Sequence, residues 1–380
     1  MGADPHAEGG RMRSGEEARM DAMETRNGKI VDAIVRKERA ECPGALALIG
    51  IYGSFLTGDV HPLSDLDLLI LINDDRGRKL AAAFVEDDPG VGHDLYCTTW
   101  DDLREDARYE HPHISKLMDS RVVYCADERY RTELESLRDG VRRILEAPFS
   151  EADFERADGE LDRARCCFAR AAAAETLSEV RRQAGGMLYY AENALALLYK
   201  TYFRLGVRRR YEELEAMKRR PADVRGGIDA VLRAGSAPLV KEKAAAFLKE
   251  LTDCFDAAAR EVRPERKKAC AETLSGTWEE MVSNWRGKMR LAAETHDRHL
   301  AFMSLESLNE MLRDVGGETA IGAYDALSAY DPEDLIKTAA AAEALLNGYL
   351  REYEKAGVKP ERYPDVDAFL AAYLGSGADR

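Results

Sequence analysis

The chain has 380 residues, 45% hydrophobic and 33% charged, a globular balance with room for two or three domains. Its 70 acidic and 55 basic side chains leave a net charge of −15, which disfavours a nucleic-acid partner, because a phosphate backbone is met by surplus Lys and Arg. The deficit is concentrated in residues 1–128, with 15 basic and 26 acidic side chains, an excess that favours a cationic substrate or metal ions.

No apolar run approaches the roughly 18 residues that span a bilayer. The polar, charged N-terminus does not read as a signal peptide. Seven scattered cysteines, Cys166-Cys167 adjacent and none in C-x-x-C or zinc spacing, read as reduced and mostly buried thiols. The expectation is a cytoplasmic protein without a membrane partner.

In chain order, residues 1–15 are Gly- and charge-rich and expected to be disordered. A polar amphipathic helix follows from about Glu16 to Glu41, stopped by Pro43-Gly44. Ala45–Tyr52 and Leu66–Ile72 are short apolar runs bounded by Gly, Pro, Asp or Asn, as buried strands are. A helical segment over Arg76–Glu86 is expected next, then an alternating strand over His93–Thr99, a short helical piece and a last strand at Arg121–Cys125. Strand signals then stop. Helical spacing marks 128–146, 151–182, 187–205, 239–261, 275–314 and 333–355, with breaks that include Gly185-Gly186 and Gly316-Gly317. The fold class predicted is α+β. A small mixed-sheet domain with flanking helices (16–127) leads into an all-helical bundle (128–380).

One arrangement carries chemistry. Tyr52-Gly53-Ser54 is followed, after ten residues, by Asp65-Leu66-Asp67 opening an apolar strand. A strand alternates its faces, so Asp65 and Asp67 project to one side. Two carboxylates so close repel unless a divalent cation neutralises them. A Gly-Ser turn after a strand offers N–H groups and a hydroxyl to phosphate oxygens. Together these are the parts of metal-assisted phosphoryl or nucleotidyl transfer.

This Gly-Ser, Asp-Leu-Asp and apolar-strand pattern resembles the signature of the DNA polymerase β-like nucleotidyltransferase superfamily. Ser64-Asp65-Leu66-Asp67-Leu68 looks especially like its minimal and aminoglycoside-nucleotidyltransferase branches. The resemblance implies a third carboxylate on a later strand, and Asp94 in Gly92-His93-Asp94-Leu95-Tyr96 stands at a suitable place. By that resemblance Asp65 and Asp67 bind two Mg²⁺ ions and Asp94 one of them, with an NTP, expected to be ATP, as donor. The Gly-Ser is followed by Phe55-Leu56-Thr57-Gly58, without the basic residue many relatives carry. The triphosphate charge is then expected to be met from the helical half, by Lys200 and Arg204. That half, in the segment from Gly185 to Lys200, looks like the substrate domain of kanamycin-nucleotidyltransferase-like proteins.

On a helical wheel for 187–204, Met187, Ala191, Ala194, Leu198 and Tyr202 form a core stripe, and Tyr189, Asn193, Lys200 and Arg204 a polar strip. Glu192 falls among Leu188, Tyr199 and Phe203. An acid on that arc is either a general base with a raised pKa or one half of an ion pair with an Arg of a neighbouring helix. Arg208-Arg209-Arg210 reads as a basic turn, His111-Pro112-His113 as a loop, and Trp278 and Trp285 as core.

The leading expectation is transfer of a nucleoside monophosphate, AMP, from an NTP to a hydroxyl of a small and cationic acceptor. Modification of a protein hydroxyl, as minimal nucleotidyltransferases do, and a degenerate nucleotide-binding or interaction protein are the alternatives.

Overall fold

The computed structural model describes residues 25–375 apart from 62, 89 and 264. The expected disorder over 1–15 and the helix start near Glu16 lie outside the described residues. The chain forms two compact units, Met1–Arg263 and Pro264–Arg380.

In the first unit, helix α1 (25–41) leads into β1 (Leu46–Ile51), the single turn α2 (Ser54–Thr57) and β2 (Leu68–Ile72). Strands β3 (Ala82–Glu86), β4 (Val91–Leu95) and β5 (Cys97–Thr99), helices α3 (Trp100–Ala107) and α4 (Ser115–Met118), and strand β6 (Arg121–Cys125) follow. The main sheet is mixed, in the order β5-β2-β1-β6, with β1 antiparallel to both its neighbours and β2 parallel to β5. Helices α5 (Glu128–Glu146), α6 (Glu151–Ala173), α7 (Leu177–Leu198), α8 (Arg210–Ala216), α9 (Val224–Arg233) and α10 (Ala237–Val262) complete the unit.

Both faces of the sheet are covered. Leu69 and Leu71 join Leu48 in a core shared with Leu134 of α5, Leu161 of α6 and Leu195 of α7. Leu68, Ile70 and Ile72 pack with Ile34 and Val35 of α1. A strand buried on two sides needs apolar residues at every position, which is why 68–72 reads Leu-Leu-Ile-Leu-Ile.

The structure corrects several sequence expectations. The Arg76–Glu86 helix is a 3₁₀ turn, Asp75–Leu80, followed by strand β3. The single strand expected over His93–Thr99 is two: β4 pairs with β3 in a separate hairpin, while β5 joins the main sheet beside β2. Gly185-Gly186 does not break a helix but lies inside α7. A Cβ on Gly186 would stand 3.1 Å from Cys167 Sγ, so glycine there permits close approach of α6. The break comes instead before Thr176, whose side chain accepts from Glu179 N–H and caps α7. That helix ends at Leu198, short of 205, with Lys200 in a left-handed conformation at φ 56°.

The second unit has its own core of Trp278, Met281, Leu305, Leu308, Tyr349 and Tyr353, with Trp285 at its edge. It is built from α11 (Ala271–Leu274), α12 (Thr277–Met281), α13 (Gly287–Thr295), α14 (Arg298–Glu318), α15 (Leu335–Lys355) and α16 (Val366–Leu374). The long helix expected over 275–314 is interrupted at left-handed His296, after which Asp297 caps α14. Gly316-Gly317 lies within α14. All seven cysteines are free; Cys42 and Cys167 are buried and Cys166 is exposed. No helix among the described residues is long and apolar enough to cross a membrane.

Candidate active site

The pairing of β1 with β2 sets Ile51 opposite Leu68. One step further on, Tyr52 N–H donates to the Asp67 carbonyl at 3.1 Å. Gly53 then turns the chain with φ 71°, and a Cβ placed on it would lie 1.9 Å from Asp67 Oδ2. The turn and the carboxylate are therefore in contact. No side chain caps α2, so its first N–H groups are left without that partner.

Asp65 and Asp67 flank Leu66, which is buried, and so share the opposite face. Burial, and then the charge of Asp65, push the Asp67 carboxyl up to about 6. Two carboxylates whose mutual repulsion is already felt at this strand end form a donor set that suits a divalent cation. Beside them, Tyr52 Oη and Tyr96 Oη are 2.7 Å apart, and burial raises the Tyr52 pKa well above its ordinary value.

Asp94 does not complete a triad. It stands on the exposed face of β4, opposite Ala83 in the separate hairpin. Among the described residues, no three His, Cys, Asp or Glu side chains converge closely enough to hold a metal ion. Asp94 does line, with Asp65, Phe84 and His93, a depression of about 410 Å³. The donor set that fits a cation is thus the pair Asp65 and Asp67.

A larger cleft, about 660 Å³, is lined by Gly53, Thr57, Ser115, Asp119, Arg204, Glu212 and Glu213. Asp119 Oδ1 accepts from Tyr202 Oη and from Arg204 Nη2, each at 2.9 Å. The loop carrying Asp119 is pinned by buried Arg138, which donates to the carbonyls of Leu117 and Ser120. From the adjoining basic turn, Arg209 reaches Asp59 at 3.4 Å, just past α2.

Of the two basic residues expected to meet a triphosphate, the structure brings Arg204 to the cleft and not Lys200. Lys200 Nζ donates to the carbonyls of Ala147 and Pro148 and to Asp153 Oδ2, at 2.8, 3.3 and 3.0 Å. Three acceptors use all three ammonium protons, so Lys200 is a structural anchor. For Glu192, expected as either a general base or one half of an ion pair, the structure supplies an arginine partner on α8. It lies 3.4 Å from Arg210 Nε, whose guanidinium also covers the Phe203 ring, and it does not line the cleft. Burial raises the Glu192 pKa and Arg210 offsets part of that rise. Sequence reasoning missed Asp119, Glu212 and Glu213, because nothing local distinguishes them from solvated acids.

Residues 31–147 match the model of the nucleotidyltransferase domain family. No curated protein matches the chain. A solved structure, a nucleotidyltransferase-like protein from Exiguobacterium sibiricum, aligns over 74% of this chain and 89% of its own at 11% identity and a TM-score of 0.31.

Proposed function

We propose that the first unit transfers a nucleoside monophosphate, AMP, from an NTP to a hydroxyl of a small acceptor seated in the cleft beside Gly53. The observation that carries this reading is the double role of Gly53: it touches the Asp67 carboxylate and also lines the cleft. A phosphate chain lying along the turn would thereby meet a cation-binding pair at one end and open space for an acceptor at the other.

Asp65 and Asp67 would hold Mg²⁺, which when bound neutralises triphosphate charge and favours ionisation of the acceptor hydroxyl. Asp94, across the smaller depression, is the carboxylate that the two-ion expectation adds. The Gly53-Ser54 backbone and the Ser54 hydroxyl donate to phosphate oxygens, and Arg204 supplies positive charge from the cleft wall. The acceptor oxygen bonds to the α-phosphorus while the α–β bridging bond breaks. Pyrophosphate leaves with that electron pair, and the hydroxyl proton passes to solvent. A cleft of about 660 Å³ is of small-molecule size, which favours a small acceptor over a protein surface. Asp119, Glu212 and Glu213 against Arg204 give it an acidic lining suited to a cationic acceptor.

The test incubates the full chain with each labelled NTP and Mg²⁺ against small cationic hydroxyl compounds and cell proteins. Pyrophosphate release is the readout. Release with a small acceptor, absent in Asp65→Asn, is expected. Release with proteins alone would replace the acceptor class, and no release with any NTP would leave a nucleotide-binding or interaction protein.

A further inference from the structure

Arg26, on α1, reaches two places far apart in sequence. Its Nη2 donates to the carbonyl of Ser64 at 3.0 Å, and its Nη1 lies 3.5 Å from Glu86 Oε2. The same Glu86 oxygen is 3.6 Å from His93 Nε2. Ser64 immediately precedes Asp65, and His93 immediately precedes Asp94. Arg26, Glu86 and His93 thus join the backbone just before one carboxylate of the smaller depression to the backbone just before the other.

Arg26 meets the Ser64 carbonyl at hydrogen-bond length, whereas Glu86 meets Arg26 and His93 only at 3.5 and 3.6 Å. Ser64 is buried, its N–H donating to His61 O at 2.8 Å and its Oγ accepting from His61 N–H at 3.0 Å. The His93 ring is fully buried, stacked on Phe84 with centroids 4.8 Å apart, and neither ring nitrogen has a hydrogen-bond partner at normal length. Glu86 is the group facing that ring. Arg26 is itself largely buried, and a planar guanidinium can serve two acceptors at once where an ammonium cannot hold the same geometry.

We propose that Arg26, bonded to the Ser64 carbonyl and faced by Glu86, is a positioning residue that fixes the backbone entering Asp65 and so the cation affinity of the Asp65 and Asp67 pair. The inference rests on the reading of Asp65 and Asp67 as cation ligands. Groups that orient carboxylate ligands typically change metal affinity 10–100-fold when removed.

The experiment measures Mn²⁺ binding to the full chain by calorimetry, with melting temperature alongside, for wild type, Asp65→Asn, Arg26→Ala and Glu86→Ala. Expected is Mn²⁺ binding by wild type that Asp65→Asn abolishes and that both other variants weaken about 10–100-fold with melting close to wild type. Glu86 is about one-third exposed, so Glu86→Ala decides the matter if Arg26→Ala does not fold. Wild-type Mn²⁺ affinity in the folded variants, whether or not their melting shifts, would make the network purely structural and overturn the proposal. A wild type that binds no Mn²⁺ would instead overturn the reading of Asp65 and Asp67 on which it stands.

Discussion

Gly53 and Asp67 are locked to each other: the space that any side chain at 53 would occupy is filled by the Asp67 carboxylate, whose Oδ2 is 1.9 Å from an ideal Cβ there. Gly53 also holds φ at 71° with ψ at −145°, a region open essentially to glycine alone, where an L-residue costs about 1–3 kcal/mol before any clash is counted. Gly53→Ala is therefore expected to lower stability by at least about that amount and to displace Asp67. Thermal melting and pyrophosphate release measured together check this. An alanine variant with wild-type values for both would mean that the turn and the carboxylate are not coupled.

Asp67 offers a test that needs no acceptor. Its folded-state pKa, about 6, lies above the ordinary carboxylate value because of burial and the charge of Asp65. A raised pKa means that the folded state binds the proton more tightly than the unfolded state does. The stabilising contribution is present below about pH 4 and is lost as pH rises through about 6. In chelator-treated protein, Asp67→Asn should remove that loss and raise the melting temperature at pH 7.5, by about 2–4 °C for each kcal/mol relieved. The same variant should abolish NTP turnover. A melting temperature below wild type at pH 7.5, with turnover retained, would contradict both expectations.

The part of this site that the sequence discloses is the part built from neighbours along the chain. The continuous apolar run Leu68–Ile72 announces a strand buried on both faces, and Asp65-Leu66-Asp67 announces two acids on one side of its start. What it hides depends on contacts between distant residues. Ala82–Glu86 has an Ala-rich sequence and an exposed burial pattern, so no alternation betrays it as a strand. Asp94 falls on the hairpin rather than the main sheet because the chain leaves one sheet at Tyr96 and rejoins another, a break with no glycine or proline to mark it. Gly185-Gly186 looks like a stop until Cys167 is seen against it. Arg26 pairs across 38 residues and Asp119 meets Arg204 across 85, and no local pattern encodes either.

Glu192 and Arg210 should separate stability from chemistry. Arg210 lies over the Phe203 ring, 3.4 Å from its centre, and faces both Glu192 and Glu213. Glu192→Gln leaves Arg210 its second carboxylate and its ring, so turnover per folded molecule should stay at the wild-type level, with stability changed by no more than about 1 kcal/mol. Arg210→Ala leaves two partly buried carboxylates without their cation and should cost about 3–5 kcal/mol. Denaturant titration and turnover of both variants decide. A Glu192→Gln enzyme that melts normally but has lost about 10²–10⁴-fold in rate would restore Glu192 as the general base.

Arg204 and Lys200 make the sharpest pair, because the sequence places both on one polar strip and the structure separates them. The Lys200 side chain is 7% exposed and is spent on Ala147, Pro148 and Asp153, whereas the Arg204 side chain is 62% exposed and lines the cleft with Gly53. Lys200→Met takes one cation from the buried Asp153 carboxylate, which keeps Arg156 Nη1 at 3.1 Å and the N–H and hydroxyl of Ser150. A cost of about 1.5–3 kcal/mol, that of one hydrogen bond to a charged group, is expected, with the KM for NTP unchanged in the molecules that remain folded. Arg204→Ala removes a solvent-facing guanidinium whose Asp119 partner keeps the Tyr202 hydroxyl. Melting should hold, and the KM for NTP should rise by about 10-fold, the equivalent of one charge-assisted hydrogen bond to a phosphate. Measuring KM and melting temperature on both variants separates the roles. If Lys200→Met raises KM without loss of stability while Arg204→Ala leaves KM alone, the triphosphate charge is met by Lys200 and not by Arg204 from the cleft wall.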